Sequence, residues 1–429
     1  MFGPRPVQTR VKHIILERYL KAWGGIIIQG SRQSIYKARQ HGRRAGLQLI
    51  YVDCFAGKGR YKGELEDQKN NKPFISVYGS PIIGIQVLDG LVKFGRENGV
   101  PVITTSVLIE ELEDSYSELI ESLEAACLTS RVKTTTDFGS LSNGEIALVR
   151  ADSTTLVDDL LDYTTANQYA YSFYLLDPFG PTGIPLKNVS KVISKPRHDV
   201  LINMPYQDLH KKSGFVGKQN LSKAQESLLQ NYDKMFGNTT WQRIVEDWQN
   251  SSTDQKSEEL EIDLANHYRG VLHDVDKQLA VKSIPLRFSD QERTMYHLYL
   301  TTHDANGSLQ MNQIMRDAET IEHNLRWKLK LSKLTHGGQQ MGLFKPSELV
   351  PLAPQLQRDY IDEIADKIIA NYAGTTVDRG QIYRLLSDDI YLPSEINKAL
   401  TKLRNKDKKA NFEGQASKLR NNSPIEVFS

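Results

Sequence analysis

The sequence predicts an α/β fold built on a parallel sheet with helices on both faces. Two observations carry that expectation. Between Leu47 and Asn203, short apolar runs of strand length alternate with segments whose apolar residues recur at helical spacing. Acidic residues stand at the ends of four of those runs, at Asp53, Glu110, Asp152 and Asp177. In a doubly wound sheet such ends share one edge, where ligands bind.

Ahead of the alternation, Val11, Ile14, Ile15, Tyr19, Leu20 and Trp23 fall on one helical face. A basic, polar stretch follows to Arg44. Leu47–Asp53 reads as the first strand. It runs into Cys54-Phe55-Ala56-Gly57-Lys58-Gly59, a loop whose glycines permit positive φ and close approach of a ligand. Residues 80–96 read as a helix, with Ser80 at the cap and Pro81 in the first turn. Residues 101–109 form the second strand, 112–127 a helix, 146–150 the third strand and 154–163 a helix. Residues 171–176 are the fourth strand, Leu186–Ile193 a helix and 200–203 the fifth strand.

Beyond the alternation lies a polar stretch from Gln207 to about Asp254, with Trp241 and Trp248 in a helix. A helix over 258–275 follows. Residues 281–288 and Thr294–Thr302 are joined by Ser289-Asp290-Gln291-Glu292 and read as an antiparallel pair. A mainly parallel sheet closed by such a hairpin is the layout of many S-adenosylmethionine (SAM) methyltransferases. The finer expectation is therefore a Rossmann-like class I SAM-dependent methyltransferase fold over 1–345, with a helical insert at about 207–278. After a helix over 306–334, Pro346, Pro351 and Pro354 mark a linker. Helices over 360–372, 377–386 and 393–404, with short segments near 410–412 and 425–428, predict a C-terminal winged helix-turn-helix over 355–429.

Composition narrows the class. Of 429 residues 39% are hydrophobic and 25% charged, as in a soluble globular chain. The net charge is +2, from 54 basic and 52 acidic residues, so nucleic-acid contact has to be argued from local clusters. Lys398, Lys402, Arg404, Lys406, Lys408, Lys409, Lys418 and Arg420 form one, set against Asp407 and Glu413. Such a helix and wing suit phosphate and groove contact. Two cysteines, Cys54 and Cys127, exclude a disulfide framework and a cysteine-built zinc site. No apolar run reaches the ~20 residues that span a membrane, and the first residues lack a signal-peptide core. The expectation is a cytoplasmic protein.

The four acids have separable tasks. Asp53 with Gly57 and Gly59 suits the amino-acid end of a cofactor, Glu110 its ribose hydroxyls, and Asp152 an adenine amino group. Phe55 and Ser153 complete the cofactor set. The loop lacks Gly-x-Gly-x-x-Gly, since Lys62 stands three after Gly59, which disfavours a dinucleotide. No Walker A sequence is present. His13, His198, His297 and His303 lack metal-ligand spacing, and no metal is expected. Asp177-Pro178-Phe179-Gly180 at the fourth strand end is similar to the Asp-Pro-Pro-Tyr motif of amine-directed methyltransferases. There a carboxylate and a backbone carbonyl accept the N–H groups of an amine whose lone pair is delocalised, and an aromatic ring stacks on the base. Here the second proline is missing and Phe179 comes one position early. Asn203-Met204-Pro205-Tyr206, at the fifth strand end, is a second motif of this kind and ranks behind the first.

Taken together these segments resemble the three-Cys-motif partner (TcmP) family. The matching pieces are Lys12-His13, Ile15-Leu16 and Tyr19-Leu20, the stretch from Tyr51 to Tyr61, Gly79-Ser80-Pro81, and Leu108-Ile109-Glu110. Further on they are Leu175 to Gly180, Gly183-Ile184-Pro185 and Leu201-Ile202-Asn203. The resemblance covers roughly residues 11–334. It implies a SAM-methyltransferase-like fold in a prokaryotic protein, with a partner that carries the three-cysteine motif.

The leading expectation is a SAM-dependent methyltransferase acting on a base amine of DNA or RNA, with Asp177, Pro178 and Phe179 at the target. The alternative is a non-catalytic SAM- or nucleotide-binding module that recruits nucleic acid for a partner enzyme. A third is a magnesium nuclease using Asp53, Glu110 and Asp177, whose separate strand ends do not make a tight two-metal cluster.

Overall fold

A computed structural model describes residues 3–41, 46–64, 76–251, 256–336 and 360–428. The boundary at 345–355 and the three prolines of the linker lie outside them. Helix α1 spans Val7–Gln40, well past the helix expected to end at Trp23. Ile28 and Ile35 continue its buried stripe, and Arg32 between them rides on the exposed outer face of the same helix. Gly24 lets α1 close on its neighbour, because a Cβ there would lie 2.2 Å from Cδ1 of Leu91.

Strand β1 is Leu47–Asp53, and a small antiparallel pair, β2 (Arg60–Lys62) and β3 (Ser76–Tyr78), follows the glycine loop. Helix α2 is Ser80–Glu97. Its N-cap is Gly79 rather than Ser80, whose hydroxyl bonds Asp53 instead. Next come β4 (Val102–Ile109), α3 (Glu113–Ala125), β5 (Val132–Lys133) and β6 (Ile146–Val149). The helix expected from Thr154 opens as a short 3-10 turn, Ser153–Thr155, before α4 (Val157–Thr165). Then follow β7 (Ala170–Leu176), α5 (Leu186–Ile193) and β8 (His198–Met204). Four helices succeed them: α6 (Tyr206–Lys212), α7 (Lys223–Phe236), α8 (Thr240–Asn250) and α9 (Lys256–Val275). Strands β9 (Ala280–Arg287) and β10 (Thr294–Thr302) lead to α10 (Ala305–His336).

The result is a mixed α/β architecture, a central sheet with flanking helices. Strand order is β5-β6-β4-β1-β7-β8-β10-β9. The first six strands are parallel, and β10 runs antiparallel to both β8 and β9. Alternation along β1 feeds both faces. Leu49 and Tyr51 join the core beneath α1, α2 and α10, and Ile50 and Val52 join the core on the opposite face. The insert helices cover that second face. Trp241 is fully buried against Tyr232 and Phe236, and its indole N–H donates to Asp233 Oδ1 at 2.8 Å.

The tail has its own core. Helix α11 is Ile361–Tyr372. The expected helix at 377–386 divides into strand β11 (Thr375–Asp378) and helix α12 (Arg379–Leu385). Asp378 caps α12 in a capping box with Gln381, which stops the helix from extending back through Val377. Helix α13 is Pro393–Asn405, and β12 (Ala410–Asn411) and β13 (Pro424–Val427) complete a three-stranded sheet ordered β11-β13-β12. The loop before α13 is docked on the sheet edge. Val281 N–H donates to Asp388 Oδ1 at 3.2 Å, Asn312 Nδ2 to the carbonyls of Asp389 and Tyr391 at 2.8 and 2.7 Å, and Lys282 to the Asp389 carbonyl. Burial there pulls the Lys282 ammonium down to about 7.

Candidate functional site

Four parallel strands deliver acids to one edge: Asp53 ends β1, Glu110 follows β4, Asp152 follows β6 and Asp177 follows β7. Sheet order reverses at β1, which pairs with β4 on one side and β7 on the other. A ligand crevice is expected at such a point. A cavity of about 410 Å³ opens there, lined by Phe55, Glu110, Asp152, Ser153, Pro178 and Phe179. Small-molecule sites occupy roughly 300–1,000 Å³.

Glu110 is buried, and both its oxygens already accept backbone N–H groups. Gly57 donates to Oε2 at 2.8 Å and Leu112 to Oε1 at 2.9 Å. A carboxylate has about four lone-pair positions, so Glu110 retains capacity for hydroxyl donors. Asp152 is exposed, and its Oδ1 caps the 3-10 turn, accepting from the N–H and hydroxyl of Thr154 at 2.9 and 2.8 Å. Capping and cavity lining thus coexist in one side chain. Phe179 is 88% exposed at the cavity, a large apolar ring with no core to fill.

The other candidates stand apart from that cavity. Asp53 is fully buried, where Tyr51 Oη–H donates to Oδ2 at 2.9 Å and Phe55 N–H to Oδ1 at 3.3 Å. Burial pushes its carboxyl up to about 6. It supports the loop from beneath. The two glycines also differ. Gly57 has φ +60° with open space where a Cβ would point, which suits close approach of a ligand. Gly59 has φ +74°, but its Cβ would lie 2.8 Å from Leu119 and 2.9 Å from Ser122. Packing against α3, where the Ser122 hydroxyl bonds the Lys58 carbonyl at 2.6 Å, accounts for Gly59.

Asp177 is engaged on both oxygens. Lys12 of α1 forms an ion pair with Oδ2, and Asn203 Nδ2 donates to Oδ1 at 2.7 Å. The Lys12 ammonium also lies 5.8 Å from the centre of the Tyr296 ring. Lys12 and Asn203 stand 165 and 26 residues from Asp177, separations at which no local pattern links them. Beside Lys12, His13 is buried, and desolvation with the neighbouring cations Lys12 and Arg5 holds it neutral. Its Nδ1 lies 3.2 Å from Arg5, and Arg5 pairs with Glu64. Thr182 and Gly183 also line the cavity unanticipated, and a Cβ on Gly183 would lie 2.5 Å from the Phe55 ring.

Cys54 is buried, and burial pushes its thiol pKa well up, so it is an inert wall. Among the described residues no group of three or more His, Cys, Asp or Glu is placed to hold a metal. No described helix is long and apolar enough to cross a membrane. In the tail, Lys402 is held by Asp362 at 2.8 Å, and Arg404 stacks 4.4 Å from the Phe412 ring centre. Lys398, Lys406, Lys408, Lys418 and Arg420 are exposed.

No known family description and no curated protein matches the chain. Among solved structures it is similar to a Legionella pneumophila protein carrying the family designation DUF519. The TM-score is 0.36 and the identity 12%, over 74% of this chain and 93% of that one.

Proposed function

We propose that this chain is a SAM-dependent methyltransferase of the three-Cys-motif partner type, acting on a base amine of nucleic acid. The observation that carries the reading is the cavity at the sheet's reversal point, which brings Phe55, Glu110, Asp152 and Ser153 beside Pro178 and Phe179. Two features support it. Six parallel strands followed by the reversed β10, with β9 beyond it running in the direction of the six, fit the layout expected of a Rossmann-like class I methyltransferase sheet. The open space over Gly57 suits a cofactor's amino-acid end.

Bound SAM supplies a methyl group on a sulfonium for in-line displacement. Glu110 receives ribose hydroxyls, and the exposed Asp152 receives an adenine amine. Phe179 offers a stacking face to an unpaired base. Catalysis rests on positioning, a contribution that reaches roughly 7–11 kcal/mol in well-oriented systems. The tail serves as a winged helix-turn-helix, with Lys398, Lys406, Lys408, Lys418 and Arg420 available to phosphates.

A second reading, a non-catalytic SAM- or nucleotide-binding module for a partner enzyme, is favoured by one observation. Both oxygens of Asp177 are already engaged, by Lys12 and Asn203.

Methyl-labelled SAM incubated with purified chain and a mixed DNA and RNA pool tests the choice. Transfer by wild type that Glu110→Ala abolishes supports the enzyme. SAM binding without transfer, with the three-cysteine partner supplied, establishes the module. Absence of SAM binding removes the methyltransferase and leaves the module only if it binds another nucleotide.

A further inference from the structure

A second cavity, of about 130 Å³, lies at the other end of the sheet from the candidate cofactor site. It opens where β7 and β8 begin, between α1 and the turn from β10 into α10. Ile26, Ile27 and Pro196 give it an apolar wall. An engineered cavity of ~150 Å³ holds benzene, so this one has room for a ligand of about that size.

Charges of both signs meet there without pairing. Arg197 immediately precedes β8 and Asp199 is the second residue of that strand, so both belong to the face that α1 covers. Their Cα atoms are roughly 7 Å apart along an extended chain. The Arg197 guanidinium has no partner among the described residues, Asp199 included. Asp199 is 6% exposed, and each of its oxygens takes one hydroxyl. Tyr19 donates to Oδ2 at 2.8 Å and Thr302 to Oδ1 at 3.0 Å. A carboxylate has about four lone-pair positions, so Asp199 can accept further N–H groups. No described cation is paired with it, and burial raises its carboxyl to about 7. A buried acid of this kind in a cavity wall is a binding-site candidate.

The remaining walls carry free polar groups too. Trp23 is only 4% exposed, and its indole N–H has no hydrogen-bond partner among the described residues. Buried indole N–H groups usually find one. The Tyr171 hydroxyl is likewise unpartnered among them. Asp304 is exposed, and its Oδ1 caps α10 by accepting the N–H groups of Asn306 and Gly307 at 2.7 and 3.0 Å. His303 is engaged by Asp276, 3.2 Å from its Nε2. A simple anion in this cavity would face Asp199 and Asp304, and a simple amine would face Arg197. A ligand that carries both charges satisfies both sets.

We propose that this cavity binds a small α-amino acid as its zwitterion, with the ammonium at Asp199 and Asp304 and the carboxylate at Arg197 and the Trp23 N–H. A short apolar side chain lies against Ile26, Ile27 and Pro196. His303 and Asp304 also line a cleft of about 780 Å³ that reaches Arg384 of α12, which gives the ligand a way in. The proposal is independent of the methyltransferase reading, because this cavity shares no residue with the one at the carboxyl ends of the strands.

Calorimetry on the full chain compares valine with 3-methylbutanoate, which lacks the amine, and with isobutylamine, which lacks the carboxylate. Valine should bind at least about tenfold more tightly than either, since each loses hydrogen bonds to a charged group. Arg197→Gln removes a guanidinium that holds no other side chain, so the melting temperature should be unchanged. Valine affinity should fall about tenfold in the same variant. Trp23→Phe keeps the ring and loses the N–H, and should weaken valine binding by about threefold or more. At pH 6 the bound ammonium should ionise Asp199 and release its proton, so the measured heat should vary with the ionisation enthalpy of the buffer. Asp199→Asn should abolish that variation. No saturable valine binding at millimolar concentration would overturn the proposal. So would equal binding of the three compounds, or full valine affinity in Arg197→Gln.

Discussion

The backbone N–H of Gly57 donates to Oε2 of Glu110 at 2.8 Å, tying the loop after β1 to the end of β4. The other oxygen of Glu110 takes the N–H of Leu112 at 2.9 Å. One carboxylate therefore shapes the loop as well as lining the cavity.

Glu110→Ala should lower both stability and SAM affinity. Two backbone donors lose their acceptor, a loss of about 1–3 kcal/mol. Glu110→Gln should also destabilise, because its amide nitrogen turns a donor toward one of those N–H groups. Urea denaturation and SAM calorimetry check this. An unchanged midpoint together with unchanged affinity would refute the role given to Glu110.

Phe179→Ala should leave stability within about 0.5 kcal/mol, since the ring is exposed and fills no core. Binding of single-stranded nucleic acid should weaken by about 1–3 kcal/mol, the range for one base–aromatic stack. Thermal melting and anisotropy on the same preparations read the two effects. A large drop in melting temperature would show that the ring packs rather than stacks.

The two loop glycines should respond differently. Gly59→Ala meets positive φ and a clash with Leu119 and Ser122, and should destabilise by more than the ~1–2 kcal/mol of backbone strain alone. Gly57→Ala meets only the strain, and should impair SAM binding more than it impairs folding. Equal melting temperatures for the two variants would contradict this division.

Stability should fall as pH rises, through Asp199. This buried carboxyl accepts from Tyr19 Oη–H at 2.8 Å and from the Thr302 hydroxyl at 3.0 Å. Burial outweighs those bonds and raises its pKa to about 7. The folded chain then holds a proton that the unfolded chain releases near pH 4, so the contribution is full below that pH and is lost as pH rises toward 7. The size is of the order of 4 kcal/mol. Asp199→Asn should flatten the dependence between pH 5 and about 7 in denaturant titrations. An equally steep curve in the variant would place the titrating group elsewhere.

Much of the scaffold was legible. Leu47–Asp53 and Leu186–Ile193 have the limits that their patterns predict, because apolar runs and helical stripes are short-range signals. The failures are instructive. Helix α1 runs on through a basic stretch because Ile28 and Ile35 sustain its buried stripe, a spacing easily lost among charged residues. Val377 belongs to a strand because β13 returns from 424–427 to pair with it, a long-range partner invisible to local propensity. Strands β2 and β3 have only three residues each, too short to carry a periodic signal.

The sequence by itself determined the alternation of strands and helices and placed four acids at strand ends, since both follow from residue period and order along the chain. Only the tertiary structure decided what each acid does. Asp53 sinks beneath the loop, Glu110 and Asp152 line the cavity while satisfying backbone donors, and Asp177 is held by Lys12 and Asn203. The physical reason is that a carboxylate's role is set by burial and by its hydrogen-bond partners. For Asp177 those partners come from α1 and β8, brought together only when the sheet and its covering helix assemble.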